Sequence, residues 1–172
     1  MTNDHSYLVL DTIRVPDAKI ICAQNENEWE PLYLGTIWQH QMDLSPIWIR
    51  IDPKSAVWKK WETDPNWASS GVLFTFPNEI SQNSAITTLQ EKITAKSEDG
   101  RLFLLRFYSP YTLSKIAKYG ERTEIDGILG DAISAQISPL LSKRYFVDVI
   151  ENGKTRTSLS LLSNKLVKEL LA

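Results

Sequence analysis

Short apolar segments rich in β-branched and aromatic residues recur along the chain and predict β-strands. The four clearest cover residues 7–10, 47–51, 71–76 and 102–108, and a shorter extended segment covers 32–35. The four are apolar almost without interruption, which is typical of strands that are buried on both faces of a sheet. We therefore expect them to lie in the middle of a layered structure.

Two of these strands end at the same kind of junction, a short polar residue followed by proline. Asp52 follows the second strand and Ser109 follows the fourth. A carboxylate or hydroxyl at the N-cap accepts free N–H groups of the first helical turn, and proline at the first helical position loses no hydrogen bond. Asp52 and Ser109 are therefore predicted N-caps, with helices over about 54–62 and 111–118.

Helical periodicity indicates two further helices. One covers residues 17–25, directly after a proline. The other follows a predicted cap at Asn78 and carries Ile86, Leu89 and Ile93 at spacings of three and four, which gives it a single apolar face. The alternation of strands and helices favours an α/β layered fold.

The pattern changes after Gly130. An apolar stretch over 133–141, interrupted by a proline, predicts a helix, and residues 145–150 predict a strand. The end of the chain, 158–172, predicts an amphipathic helix. Its apolar stripe consists of Leu159, Leu162, Leu166 and Leu170, and Leu161 and Leu171 widen that face.

These elements predict a single α/β layered domain with a mixed β-sheet flanked by helices. Residues 1–130 form the predicted core domain. Residues 131–172 form a variable C-terminal region, a short strand and helix packed on or beside the core. A chain of 172 residues suits one such domain and buries enough surface to fold without disulfides.

Composition and charge exclude several classes of function. The formal net charge is −2 and the pI is about 5.7. The 19 basic residues are scattered among 21 acidic ones, whereas a nucleic-acid-binding protein gathers its basic residues on one face. Residues 1–6 show no signal-peptide pattern, and no apolar run approaches the roughly 18 residues that span a bilayer. We expect a cytoplasmic protein that neither binds nucleic acid nor inserts into membranes.

The sequence carries no recognisable catalytic or metal-binding motif. The two histidines, His5 and His40, have no ligand at metal-type spacing, and the glycines form no phosphate-binding loop. The single cysteine, Cys22, lies in an apolar run and is predicted to be a core residue, not a nucleophile. We therefore expect no enzyme activity, no metal and no cofactor.

Several polar residues do fall at strand ends, where α/β enzymes commonly place catalytic groups. They are Asp11, Arg50, Asp52, Arg106 and Tyr108. The alternative is that Asp52 caps a helix while the arginines pair with carboxylates. No motif favours the catalytic interpretation over this one.

The ordered set of these motifs resembles the adaptor or chaperone family that is encoded beside type VI secretion spike (VgrG) and effector genes. The resemblance covers about residues 7–130. Its carriers are Leu10-Asp11, Leu32-Tyr33-x-Gly35-Thr36, Pro46-x-x-x-Arg50-x-Asp52-Pro53, the strand at Gly71, Gly100-Arg101, Arg106-Phe107-Tyr108-Ser109-Pro110 and Leu129-Gly130. In two positions the chain departs from the family, which usually has Asp at 109 and Arg at 111 where this chain has Ser109 and Tyr111. A charged contact of the usual arginine is thus absent here.

The resemblance implies a non-enzymatic protein that binds a type VI secretion effector, through that effector's N-terminal segment, and helps load it onto the VgrG spike. A C-terminal helical lobe meets the cargo in many members, and in this chain that region is shorter. The predicted partner-binding residues are Tyr33, Trp38, Arg50, Arg106, Tyr108, Tyr111, Leu161 and Leu171.

Other interpretations remain open at the level of sequence. The six tryptophans lie between residues 29 and 67 and fit either an aromatic core or a partner-binding surface. The C-terminal leucine stripe fits either core cover or a docking face. An immunity-type protein that neutralises a toxin, and a small hydrolase, are the alternative functions.

Overall fold

The computed structural model describes residues 4–141, 144–145, 148–153 and 161–172. In chain order the elements are β1 (His5–Leu10), α1 (Ala18–Gln24), β2 (Trp29–Pro31), β3 (Ile47–Ile51), α2 (Ala56–Thr63), α3 (Pro65–Ala68), β4 (Gly71–Phe76), α4 (Gln82–Glu91), β5 (Thr94–Ser97), β6 (Leu102–Leu104), α5 (Pro110–Tyr119), α6 (Arg122–Leu129), β7 (Ser134–Ile137), β8 (Val149–Glu151), β9 (Leu161–Leu162) and α7 (Asn164–Leu171). Short 3-10 helices cover Gln39–Leu44 and Pro139–Leu141.

Six strands form the main sheet in the order β2-β3-β1-β4-β7-β8, and each neighbouring pair is antiparallel. A second sheet has the order β6-β5-β9, in which β5 and β9 are parallel. Helices cover the main sheet, and the chain ends in a strand and a helix. The α/β fold class predicted from the sequence is therefore confirmed.

The main sheet is buried on both faces, since helices pack against each face. Successive side chains of a strand point to opposite faces, so the side chains of one strand enter two separate cores. Tyr7 and Val9 of β1 face a core that α4, α5, α6 and α7 complete. Leu8 and Leu10 of the same strand face a second core that α1, α2 and α3 complete. All four side chains are fully buried, which explains the uninterrupted apolar character of this strand.

The predicted strand over 102–108 is wrong in its extent. Only Leu102–Leu104 forms a strand, and it lies in the second sheet with Leu102 exposed. The chain then turns before α5, and this turn inserts Phe107 into the core, with its ring centroid 5.6 Å from that of Phe74. Burial in a turn, not strand pairing, accounts for the apolar pattern after residue 104.

The helix predicted over 133–141 is also wrong. Residues Ser134–Ile137 form β7, in which Ala135 pairs with Phe74 of β4. The side chains of Ala135 and Ile137 are buried. Spacings of four residues also fit a strand, since every second side chain shares a face. The strand predicted at 145–150 is shorter, Val149–Glu151.

At the C-terminus the helix is shorter than the predicted 158–172. It begins after Ser163, whose hydroxyl accepts the N–H of Leu166, and it covers Asn164–Leu171. Leu161 and Leu162 form β9, so the prediction that Leu161 widens the helical face is wrong. Leu159 lies outside the described residues.

Of the predicted caps, Ser109 is confirmed: its hydroxyl accepts the N–H of Thr112, and α5 begins at Pro110. The cap predicted at Asp52 is wrong, because α2 begins only at Ala56, with Ser55 as its cap. Lys54, between Asp52 and Ser55, has a φ of 74°, which is incompatible with a helix starting at the proline.

Two smaller local predictions are also wrong. The cap of α4 is Ser81 and not Asn78, since the hydroxyl of Ser81 accepts the N–H of Ser84. The segment 32–35 forms turns instead of an extended strand, and the neighbouring strand is β2.

Candidate functional site

An open cleft of about 320 Å³ lies at the end of β1. Four segments that are distant in sequence meet there: the loop after β1, the α3–β4 connection, the turn that leads into the start of α5, and residues 144–145. The lining residues are Asp11, Arg14, Ser69, Ser70, Arg106, Tyr108, Ser109, Tyr111, Arg144 and Tyr145. We call this the arginine cleft.

Of two neighbouring tyrosines, Tyr108 lines the arginine cleft and Tyr33 lies beside it. Tyr33 and Tyr108 are buried, and the two phenols are close enough to influence each other's ionisation. Burial raises the pKa of both phenols above the usual value, and the negative charge of Asp11 acts in the same direction while Arg106 opposes it. Both tyrosines therefore stay neutral at physiological pH, and Tyr108 offers its hydroxyl group to a ligand in the cleft.

Tyr33 reaches this position because the loop that carries it is held from behind. Its backbone N–H donates to the hydroxyl of the buried Ser45, at 2.9 Å, and its carbonyl accepts the hydroxyl of Thr36, at 2.7 Å. The turn continues through Gly35, with a φ of 78° that favours glycine. The Tyr33-x-Gly35-Thr36 motif thus builds a turn that presents the phenol of Tyr33 to Tyr108.

Asp11 is the only carboxylate that lines the cleft within the described residues, and its own loop occupies it. Oδ1 of Asp11 accepts the backbone N–H of Ile13 at 2.9 Å and that of Arg14 at 3.4 Å. This carboxylate organises the turn after β1, and it does not form an ion pair with an arginine of the cleft.

Arg14 is held in place by hydroxyl groups. Its Nε donates to Oγ of Ser70 at 3.0 Å and its Nη2 donates to Oγ of Ser69 at 2.9 Å. Both hydroxyls in turn donate to the carbonyl of Asn66. The guanidinium is therefore oriented without neutralisation of its charge.

Arg106 and Arg144 complete the positive charge of the cleft. In the described part of the chain the ion pairs within 4.0 Å are Arg101–Asp99 and Arg122–Asp126, and no arginine of the cleft belongs to either. The alternative that the arginines at strand ends pair with carboxylates is therefore wrong for Arg106 within the described residues.

Two of the predicted partner-binding residues lie elsewhere. Arg50 is exposed on β3, donates to Oε1 of Gln82 at 2.7 Å, and lies 6.0 Å from the ring centre of Tyr7. Trp38 is half-buried, and its indole N–H donates to Oγ1 of Thr94 at 2.8 Å. Neither side chain lines the arginine cleft.

The two predicted leucines are also separate from the cleft. Leu171 is 67% exposed near the end of α7. The backbone of Leu161 pairs with Lys96 in the second sheet. The tryptophans are mainly core residues, since Trp48, Trp61 and Trp67 are buried.

The structure thus brings together Tyr33, Arg106, Tyr108 and Tyr111 of the predicted set. Sequence reasoning did not single out Arg14, Ser69, Ser70, Arg144 and Tyr145. Arg14 follows Asp11 by three residues and Ser69 and Ser70 directly precede β4, so proximity to strand ends was the available signal. Arg144 and Tyr145 have no comparable signal.

Nucleophilic chemistry has little support among the described residues. Cys22 is fully buried, and burial raises the pKa of its thiol to about 12. No group of three or more His, Cys, Asp or Glu side chains in the described ranges could hold a metal ion. His5 contacts the hydroxyl of Tyr7 and two backbone carbonyls away from the cleft. What the arginine cleft offers is charge and hydroxyl groups, which suit recognition of an anionic group.

No helix within the ranges that the structure describes has the length and apolar character needed to cross a bilayer.

A sequence model of the family described as a domain of unknown function (DUF4123) matches residues 6–125. No curated protein and no solved structure matches the chain. The matched segment contains Asp11, Tyr33, Arg106 and Tyr108 but not Arg144.

Proposed function

The chain belongs to the DUF4123 family, and on this basis we propose that it is a non-enzymatic adaptor of a type VI secretion system. It would act in the cytoplasm, where it binds an effector protein through that effector's N-terminal segment. It would then help load the effector onto the VgrG spike for export.

The observation that carries the proposal is the position of the motifs on which the family resemblance rests. Asp11, Arg106 and Tyr108 come from two distant parts of the sequence and line one open cleft, and Tyr33, from a third part, lies beside Tyr108. Arg and Tyr are the residue types that most often supply binding energy in protein interfaces. A surface cleft with such a lining, in which the described residues include no nucleophile–base pair, supports partner binding over catalysis.

A genetic experiment tests this function. We expect deletion of the gene to abolish export of the effector encoded beside it, while the spike protein is still exported. A plasmid copy should restore effector export, and the chain itself should stay in the cells. Co-expression with the N-terminal segment of that effector should give a complex that elutes as one species in size-exclusion chromatography.

The same experiment separates the adaptor from an immunity-type protein, which is the second candidate. Loss of an immunity protein leaves export intact and makes the cells sensitive to their own toxin. Normal export combined with self-intoxication would therefore contradict the adaptor function. Normal export without any growth defect would contradict both.

A further inference from the structure

The arginine cleft has an excess of positive charge although the chain as a whole has a formal net charge of −2. Among the residues that the structure describes, three guanidinium groups, those of Arg14, Arg106 and Arg144, line it together with one carboxylate. That carboxylate, Asp11, accepts N–H groups of its own loop. The arginines are therefore available to an anion from outside.

The donor set favours carboxylates over phosphates. Phosphate sites commonly use the free N–H groups at a helix N-terminus. At the start of α5, Pro110 has no N–H and the N–H of Thr112 is bound by the Ser109 hydroxyl, so few backbone donors remain. Guanidinium groups bind carboxylates through two parallel N–H···O bonds, and this geometry needs no backbone donors.

We propose that the arginine cleft binds the acidic side chains of a peptide segment of the partner protein. This inference rests on the proposed function and specifies the chemistry of the segment. Tyr108, Tyr111 and Tyr145 line the same cleft, and tyrosines combine aromatic contact area with hydroxyl groups that hydrogen-bond to carboxylates and peptide groups. An extended segment with Asp or Glu at its centre matches this lining.

Binding of labelled peptides to the full chain tests the proposal directly. The probe is a fluorescein-labelled twelve-residue peptide of alternating Glu and Gly, and its control has Gln in place of Glu. By fluorescence anisotropy at low salt, we expect the Glu peptide to bind at least tenfold more tightly. Raising NaCl to 0.5 M should reduce that difference, because salt screens exposed charges.

Variants locate the binding site. Arg106→Gln and Arg144→Gln should each weaken binding of the Glu peptide about fivefold or more. Asp11→Asn keeps an oxygen that accepts the loop N–H groups but removes the negative charge, so it should tighten binding. Arg101→Gln is the matched control, because Arg101 is exposed outside the cleft and pairs with Asp99. Thermal melting of each variant verifies that it is folded.

Three results of the peptide measurements would overturn the proposal: equal binding of the Glu and Gln peptides, equal effects of the Arg101 and cleft variants, or displacement of the peptide by millimolar inorganic phosphate. Displacement by phosphate would indicate a phosphate site instead.

Failure of the acidic-peptide proposal can be distinguished from failure of the adaptor function. If the wild type and Arg106→Gln form the same complex with the effector segment, the adaptor function holds and the acidic-peptide chemistry is wrong. If the Glu peptide binds but effector export does not depend on the gene, the acidic-peptide chemistry holds and the adaptor function is wrong.

Discussion

At the scale of single residues, Lys92 is the most unusual group of the core. It is 2% exposed, and its Nζ donates to the carbonyl of Gly127 in the last turn of α6 at 2.8 Å. A cation at this end of a helix is stabilised by the helix dipole. Gly130 leaves the space for it, since a Cβ there would lie 2.6 Å from Nζ. Burial nevertheless lowers the pKa of Lys92 to about 8, against the opposing influence of Glu91 and Asp131.

The lowered pKa of Lys92 predicts a pH dependence of stability. Above pH 8 the folded chain releases the Lys92 proton, while the unfolded chain keeps it up to about 10.5. The unfolded state therefore binds more protons in this range, and the contribution of Lys92 to stability rises with pH. Relative to Lys92→Met, the wild type should gain on the order of 3 kcal/mol between pH 7 and 10.5.

Urea unfolding of both proteins at several pH values measures this gain. The comparison with Lys92→Met is necessary because Cys22, Tyr33 and Tyr108 have raised pKa values. Their contributions are lost as pH rises, which is the opposite sign. A difference between the two proteins that does not change with pH would contradict a charged, buried Lys92.

At the scale of elements, the starts of α2 and α5 show that a polar residue before proline caps a helix only if the backbone continues as a helix after the proline. Asp52 and Ser109 stand before the same residue type, proline, yet only Ser109 caps its helix. After Asp52 the chain makes a turn in which the N–H of Ser55 donates to the carbonyl of Asp52. The side chain of Asp52 is not needed for that bond.

Alanine substitutions at the three positions test these assignments. Ser55→Ala and Ser109→Ala should each lower the free energy of unfolding by about 1 kcal/mol, the usual cost of losing an N-cap. Asp52→Ala should change it by less than about 0.5 kcal/mol, as exposed positions usually do. Denaturant midpoints measure all three. An equal loss for Asp52→Ala and Ser55→Ala would show that α2 begins earlier.

The C-terminal helix has one side that packs and one that does not. Leu166 is fully buried against the core, whereas Leu171 is 67% exposed. Leu166→Ala should therefore lower the free energy of unfolding by about 2–5 kcal/mol. Leu171→Lys should leave the melting temperature unchanged.

If α7 contributes to cargo binding, as the family resemblance implies, Leu171→Lys should also weaken the complex with the effector segment. Titration of that segment, with the melting transition measured in parallel, separates the two effects. Unchanged binding by a folded Leu171→Lys protein would exclude this end of α7 from the cargo site.

At the scale of the whole molecule, the C-terminal region is part of the main sheet. β7 pairs with β4, and β8 pairs with β7. Beyond them, Lys115 of α5 donates to the carbonyl of Glu169 in α7 at 2.7 Å. The predicted boundary at residue 130 therefore lies shortly before a strand that covers the edge of β4.

A truncation experiment tests whether residues 1–130 are a self-sufficient unit. Without β7 the edge of β4 is unpaired, and the buried Val72 and Phe74 lose neighbours on that side. We expect the truncated chain to lack a cooperative thermal transition and to aggregate, because unpaired sheet edges associate. A transition like that of the full chain would establish 1–130 as an independent domain.

Much of the fold could be predicted from the sequence where local signals and burial agree. The strands at 47–51 and 71–76 and the start of α5 at Pro110 were predicted correctly, because β-branched runs and a capping serine act locally. The wrong predictions concern segments in which a buried, apolar pattern does not correspond to the secondary structure expected from it. Phe107 is as apolar and buried as any strand residue, yet it lies in a turn.

The candidate site could be predicted only in part. Tyr33, Arg106, Tyr108 and Tyr111 carried a signal through their motifs, and the structure unites them. Nothing in the spacing of Arg14 and Arg144 indicates that they share a cleft, since the two exposed arginines are 130 positions apart in the sequence. Trp38 and Arg50, predicted on the same grounds as the others, lie elsewhere.

Periodicity and residue chemistry are local properties, and they were enough to predict the α/β class and the buried central strands. Two other features depend on the tertiary structure: residues 134–137 are a strand of the main sheet, and three arginines meet beside two neutral tyrosines. Both depend on which segments lie side by side. In an antiparallel sheet whose strand order departs from the chain order, packing over the whole molecule makes that choice.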